Sequence, residues 1–253
     1  MLPYFQIGSY QLPTYGLMIL IGFALGILVA VKRPAISGLQ RDDIFYSFLY
    51  GAIGTVVGAK LLYLAITLPV MMRSASFVFS WDTIVELLRY GFVFYGGVIG
   101  AILGFFLYAK QYKLQFFPLL ENAVPSIPLI HSIGRIGCFL AGCCYGKPMD
   151  PPWGVYFNPE SVAPCGVALF PVQLLESGIN LVLFFLLFAY SRKPRREGQI
   201  LGFYLAFYAV ERFFLEYLRY DEIRGIFWGL STSQWISLIL LPVGLYLLLR
   251  KRK

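Results

Sequence analysis

Long apolar stretches alternate along this chain with short polar breaks rich in Gly and Pro. Crossing a hydrocarbon core takes about 20 mostly apolar residues in a helix. Seven stretches reach or approach that length: Thr14–Val31, Ile44–Leu68, Gly91–Ala109, Phe116–Ile133, Pro171–Tyr190, Gln199–Leu218 and Ser233–Leu249. Each predicts a helix, because backbone polar groups in lipid must be satisfied within the segment itself. The fourth contains Pro118, Pro125 and Pro128, which predict a kinked or broken helix. Trp81-Asp-Thr-Ile-Val-Glu-Leu-Leu-Arg89 has the pattern of a short amphipathic helix lying on the membrane surface. The predicted fold class is therefore all-α: a polytopic membrane helical bundle of seven transmembrane helices, forming one domain over residues 1–253.

Composition agrees with that class. Of 253 residues, 58% are hydrophobic and 13% charged, against about 25% charged in ordinary soluble domains. The formal charge of +8 raises the question of nucleic acid, but the basic residues gather at the ends of apolar stretches. They stand at Lys32-Arg33, Lys110 and Lys113, Arg192 to Arg196 and Arg250 to Lys253. That distribution sets topology and excludes a duplex-binding face. Of the 21 Lys and Arg, 13 follow stretches one, three and five or form the C-terminal tail, and five follow stretches two, four and six. Positive residues collect on the cytoplasmic side, so the N-terminus is expected outside and the C-terminus in the cytoplasm. Met1 to Gly8 carries no Lys or Arg, unlike the basic start of a secretory signal, so the first stretch is expected to be a mature helix.

Polar residues inside apolar stretches carry the candidate chemistry, since a charge at membrane depth needs a partner or a function. Residues 134–146 read Gly-Arg-Ile-Gly-Cys-Phe-Leu-Ala-Gly-Cys-Cys-Tyr-Gly, placing Arg135 among Gly134, Gly137, Gly142 and Gly146. Glycines let backbone approach a ligand closely, and the abundant anion in a membrane is a lipid phosphate. Tyr208, Arg212, Glu216 and Arg219 recur at i, i+4, i+8 and i+11, one helix face on which Arg212 and Glu216 can pair. Gln173, Glu176 and Asn180 share a face of the fifth stretch, and Lys60 and Glu121-Asn122 are further polar groups. An ion pair with a carboxylate of another helix is the simplest account of Lys60. His131, four residues before Arg135, reads as a hydrogen-bonded structural group. The cysteines, spaced C-x4-C-C-x20-C at 138, 143, 144 and 165, match zinc spacings poorly. They fit buried small residues, or a disulfide joining Cys138 to Cys143 or Cys144, or either to Cys165.

The Gly134–Gly146 segment resembles the signature of the prolipoprotein diacylglyceryl transferase family. Thr14-Tyr-Gly-Leu-Met18, Phe94-Tyr-Gly-Gly-Val-Ile-Gly100, Phe170-Pro-Val-Gln-Leu-Leu-Glu176 and Tyr208-Ala-Val-Glu-Arg-Phe-Phe-Leu-Glu216 resemble its other motifs. The resemblance implies a bacterial inner-membrane enzyme whose active site faces the outer leaflet. Such an enzyme moves a diacylglyceryl group from phosphatidylglycerol to the lipobox cysteine thiol of a preprolipoprotein, releasing glycerol 1-phosphate. Its partners would be bilayer lipids and preprolipoprotein signal peptides, with no metal or organic cofactor. It implies that Arg135 and Arg212 hold the phosphate, Glu216 orients Arg212, and Tyr95 takes part in catalysis. Tyr15, Lys60, Gly96, Gly97, Cys138, Gly142, Cys143, Gly146, Gln173, Glu176 and Tyr208 would line the substrate cavity.

The chain departs from the common pattern at several positions. Tyr95 stands where the family commonly has His, Cys138 where it has Asn, and Cys143 where it has Glu. Phe170 and Leu175 replace a His and a Tyr. An unperturbed Tyr, with pKa near ~10, is a poor base, whereas an acceptor thiol near ~8.5 needs only modest help to ionise. Other readings are a same-fold transferase with a different acceptor, a membrane thiol oxidoreductase using Cys138, Cys143, Cys144 and Cys165, and a transporter or lipid-binding scaffold.

Overall fold

A computed structural model describes residues 2–8, 10–33, 38–73, 80–89, 91–193, 195–220 and 225–250. Arg224 and Lys251-Arg252-Lys253, which enter the charge distribution above, lie outside the described residues. The described chain is mostly helical and divides into two compact units, residues 1–33 with 121–253, and residues 34–120.

The first unit begins with a hairpin, β1 (Tyr4–Ile7) and β2 (Tyr10–Pro13), paired from Tyr4↔Pro13 to Ile7↔Tyr10. This ribbon is absent from the all-helical expectation. Gly8, at φ +61°, supplies the positive φ that so tight a hairpin turn requires. Helix α1 (Thr14–Lys32) follows directly, its first residue tied back by Thr14 N–H to the Pro3 carbonyl at 3.0 Å.

The second unit is built on α2 (Arg41–Met72), α3 (Trp81–Arg89) and α4 (Phe94–Gln111). The amphipathic helix expected at Trp81 is α3. Helices α2 and α4 meet along a seam of glycines. A Cβ at Gly100 would overlap the Gly54 carbonyl, and one at Gly96 would overlap the Gly58 carbonyl, so only glycine permits this backbone approach. Hydrogen bonds reinforce the pair, from Tyr108 Oη to Asp43 Oδ1 at 3.1 Å and from Tyr50 Oη to Gln111 Oε1 at 3.1 Å.

The proline-bearing stretch is broken as expected. Helix α5 (Phe116–Ala123) passes through a 3₁₀ turn at Val124–Ser126 into α6 (Ile127–Ala141). The fourth helix was expected to stop near Ile133, but α6 runs eight residues further and carries Arg135 and Cys138 on its last turns. Its end is set by Gly142, which caps it in the left-handed conformation at φ +68°.

Beyond the cap lie β3 (Val155–Tyr156) and β4 (Ala168–Leu169), paired antiparallel, and then α7 (Val172–Tyr190). Helix α8 (Gln199–Leu215) ends in a 3₁₀ turn at Glu216–Leu218. A short ribbon, β5 (Ile226–Phe227) with β6 (Leu230–Ser231), leads into α9 (Thr232–Leu249). Ser231 and Gln234 form a capping box at the start of α9. In this unit α1 packs on α6, α6 on α7, and α8 on α9.

Among the described residues, five stretches are long and apolar enough to cross a membrane: α1, α2, α5 through α6, α7 and α9. Helices α4, with 18 residues, and α8, with 17, occupy the other two expected positions. The chain is a multi-pass membrane protein by this pattern.

Candidate active site

One carboxylate organises the polar centre of the first unit. Glu176, one turn into α7, is 1% exposed. Its Oε1 lies 2.9 Å from Arg135 Nη2 and 3.4 Å from His131 Nε2, and its Oε2 lies 3.7 Å from Arg219 Nη1. Arg135 Nε donates to His131 Nε2 at 3.2 Å. Arginine only donates, so the imidazole accepts there and fixes the guanidinium plane. His131 and Arg135 stand one turn apart on α6, so helix geometry brings them together.

Arg212, near the end of α8, is 6% exposed. Its Nη2 pairs with Glu216 Oε2 at 2.6 Å and donates to Ser233 Oγ, on α9, at 3.1 Å. Its Nη1 is buried with no hydrogen-bond partner among the described residues. Arg135 and Arg212 both lie close enough to Glu176 and Tyr208 to act on them electrostatically. The Tyr208 ring sits 5.9 Å from the His131 ring and stacks on Tyr204 at 5.8 Å. A partly buried Arg135 and a buried Arg212 with an unused donor thus act on the same carboxylate and the same phenol. That arrangement can hold a phosphate and stabilise charge developing on it.

The expected single helical face needs correction at one residue. α8 gives way to a 3₁₀ turn at Glu216, and Arg219 follows it in extended backbone. Arg219 still reaches Glu176, because the segment after α6 pins this turn. Gly146 pairs with Arg219 as an isolated bridge, Lys147 N–H donates to the Leu218 carbonyl at 3.0 Å, and Gly146 N–H donates to the Phe170 carbonyl at 3.0 Å. A Cβ at Gly146 would meet the Phe170 oxygen at 2.6 Å and the Leu218 oxygen at 2.9 Å.

A trio of thiols adjoins this centre. The Sγ atoms of Cys138, Cys143 and Cys144 all lie within 4.8 Å of one another. Arg135 Nη1 is 3.9 Å from Cys138 Sγ. Gln173, fully buried, donates from Nε2 to the Cys143 carbonyl at 2.8 Å. Hydrogen bonds from the Cys138 and Cys143 thiols draw the Cys144 thiol well below its ordinary pKa, and Arg219 and Arg135 add to the effect. All four cysteines are free thiols, and Cys165 stands apart and exposed.

The sequence profile of prolipoprotein diacylglyceryl transferases matches residues 3–250. The chain belongs to the prolipoprotein diacylglyceryl transferase family. It is 37% identical over 242 residues to the phosphatidylglycerol–prolipoprotein diacylglyceryl transferase of Clostridium tetani, covering 96% of this chain and 94% of that one. A second such protein, from Clostridium perfringens, is 35% identical with 96% and 92% covered. The one from Bordetella parapertussis is 37% identical over 253 residues, again with 96% and 92% covered.

Among the residues this transferase-family chain was expected to use, the structure assembles Arg135, Arg212, Glu216, Glu176, Gln173, Tyr208, Cys138 and Cys143 in the first unit. Gly142 caps α6 there, and Gly146 permits close backbone packing against Phe170 and Leu218. Tyr15, at the start of α1, is 44% exposed and lies near enough to Cys138, Cys143 and Arg135 to feel their charge. Tyr95, Lys60, Gly96 and Gly97 belong to the second unit. Tyr95 stacks edge-on against Phe94, and Gly96 sits in the α2–α4 seam, where packing accounts for it. Gly97 stands beside it, and a Cβ there would touch the Thr55 side chain at 3.2 Å. Lys60 donates to the Gly91 carbonyl at 3.2 Å and lies over the Phe92 ring, beside a groove of about 310 Å³ lined by Val56, Val57, Leu61, Leu88 and Phe92.

Two residues missed by the site expectation stand in the cluster. His131 carried the signal of its i, i+4 spacing to Arg135. Glu211 is buried and accepts from Asn180 Nδ2 at 2.7 Å.

Proposed function

We propose that this chain transfers a diacylglyceryl group from phosphatidylglycerol to the lipobox cysteine thiol of a preprolipoprotein. The observation that carries the reading is the pairing of Arg135 with Glu176 and of Arg212 with Glu216, with the unused, buried Nη1 donor of Arg212, in a chain of this family. Arg135 and Arg212 hold the lipid phosphate. The acceptor thiolate attacks the glyceryl carbon bonded to the phosphate oxygen. The new C–S bond forms as that C–O bond breaks, and glycerol 1-phosphate leaves with the electron pair. Both guanidinium groups stabilise its charge. Glu216 orients Arg212, while Glu176 and His131 position Arg135. Tyr15 and Tyr208 line the cavity.

The enzyme acts as one membrane domain of seven spans in the bacterial inner membrane. Its N-terminus and active site face outward and its C-terminus faces the cytoplasm. Purified protein incubated with labelled phosphatidylglycerol and a lipobox peptide tests the reading. Labelled peptide and released glycerol phosphate are expected, and both are lost in Arg135→Ala and Arg212→Ala. Absence of both products with the unaltered protein rejects it.

A further inference from the structure

The phosphate contacts proposed above leave the Cys138, Cys143 and Cys144 trio without an assigned task, yet it is built rather than scattered. Cys138 is buried on the last turn of α6. The left-handed cap at Gly142 then turns the chain back, and Cys143 N–H closes on the Cys138 carbonyl at 3.0 Å. Cys144 itself takes a positive φ of 57°, a conformation that non-glycine residues adopt at some cost. Gln173 holds the Cys143 carbonyl from α7. Backbone and a buried amide thus converge three thiols on one point, their Sγ atoms within 4.8 Å of one another.

We infer that Cys138, Cys143 and Cys144 form a three-thiolate site for a zinc ion, with the fourth coordination position open to the acceptor thiol. Tetrahedral zinc with Zn–S bonds of about 2.3 Å places its sulfurs about 3.8 Å apart. The three sulfurs, all within 4.8 Å of one another, are close to that spacing. Three thiolates around Zn²⁺ leave one negative charge, and Arg135, 3.9 Å from Cys138 Sγ, lies where it offsets that charge. Cys143 and Cys144 are partly exposed, so the fourth position is reachable. Three protein ligands and one open position is the pattern of a reactive zinc site, not a closed structural one. C-x4-C-C spacing conceals it, because the approach is made by the turn at Gly142.

The chemistry rests on the transferase reading above. On coordination the acceptor S–H releases its proton to water, and the zinc-bound thiolate is the nucleophile. Its sulfur bonds to the glyceryl carbon, the C–O bond to phosphate breaks, and glycerol 1-phosphate leaves with the electron pair. Zinc changes neither charge nor oxidation state. The ion supplies the ionisation that Tyr95 supplies poorly.

The test uses the full chain, purified in detergent under reducing conditions. One equivalent of Zn²⁺ is expected to bind, and Co²⁺ in its place is expected to give thiolate-to-cobalt charge-transfer absorption. Cys138→Ser, Cys143→Ser and Cys144→Ser each abolish that band, while Cys165→Ser retains it. A measurement on the unaltered protein covers variants that fail to fold. Zn²⁺ is expected to shield the three cysteines, but not Cys165, from alkylation read by mass spectrometry. A lipobox peptide shifts the cobalt spectrum, and the same peptide with Ser for Cys does not. Removing zinc is expected to slow labelled-lipid transfer by about 100-fold, the scale of losing a base. Substoichiometric metal, unshielded thiols, a disulfide within the trio, or a cobalt spectrum indifferent to the peptide overturns the inference. Chelated protein transferring at full rate overturns it and leaves the transferase reading intact. Metal-loaded, peptide-binding protein that transfers nothing overturns the transferase reading instead.

Discussion

Glu176 shows how much one carboxylate decides. It sits within 4 Å of two arginines and a histidine and is almost completely buried. Removing its charge takes the shared anion away from Arg219, which is buried, and Arg135, which is partly buried. Breaking a buried pair in this way costs about 3–5 kcal/mol. Glu176→Gln keeps the shape and loses the charge. A clearly lowered thermal unfolding midpoint in detergent is therefore expected, together with loss of lipid transfer. Arg212 makes a different prediction, because its role is geometric. Arg212→Lys keeps the positive charge and gives up the forked donors. Transfer is expected to fall about 100-fold, the scale of one lost charge-stabilising donor, with the unfolding midpoint little changed. An Arg212→Lys protein as active as the unaltered one assigns the site charge without geometry. Legibility at this scale followed helix periodicity. Gln173, Glu176 and Asn180 were readable as one buried face because α7 is regular through all three. Arg219 was placed on the wrong kind of backbone because a 3₁₀ turn intervenes at Glu216. Glu211 escaped notice because it adjoins Arg212 and points about 100° around the helix from it.

Among the elements, the α2–α4 pair depends on glycine more than any other contact. A side-chain carbon at Gly100 meets backbone, the Gly54 carbonyl, which cannot rotate away. Gly100→Ala must push the helices apart, and overpacking of this kind typically costs about 1–3 kcal/mol. Its control is Gly178 on α7, where an added Cβ meets nothing within 4 Å. Thermal unfolding in detergent is expected to fall for Gly100→Ala and to hold for Gly178→Ala. Equal stability of the two variants removes the seam as a structural requirement. The apolar stretches made these helices legible, and the three prolines made the break between α5 and α6 legible. The extension of α6 to Ala141 was not. Arg135 and the glycines look like loop residues until the partners that satisfy Arg135, His131 and Glu176, are known. The N-terminal hairpin was missed for a related reason, since four-residue strands carry too little alternation to register against a following apolar helix.

Across the whole chain, topology ties the charge pattern to the site. Helix α8 alone, at 1.5 Å per residue, spans about 26 Å, short of a core about 30 Å thick. The 3₁₀ turn at Glu216–Leu218 adds about 6 Å at 2.0 Å per residue and closes the gap. The proposed seven crossings count α4 and α8 with the five longer stretches. With the N-terminus outside, as proposed, the polypeptide runs outward through the fourth and sixth and inward through the fifth. Arg135 lies near the end of the fourth, Glu176 near the start of the fifth and Arg212 near the end of the sixth. In the proposed orientation all three fall at the outer level, and the Arg135–Glu176 pair requires two of them to share a level. The 13 to five excess of Lys and Arg on the opposite side is the source of that proposed orientation. A fluorescent protein that matures only in the cytoplasm, fused after Lys253, is expected to fluoresce. A membrane-impermeant thiol reagent applied to intact spheroplasts is expected to label a cysteine placed at Gln6, in a background where the four natural cysteines are serine. A dark C-terminal fusion, or a Gln6→Cys protein that labels only after lysis, breaks the outward placement of the arginines and the phosphate reading with it.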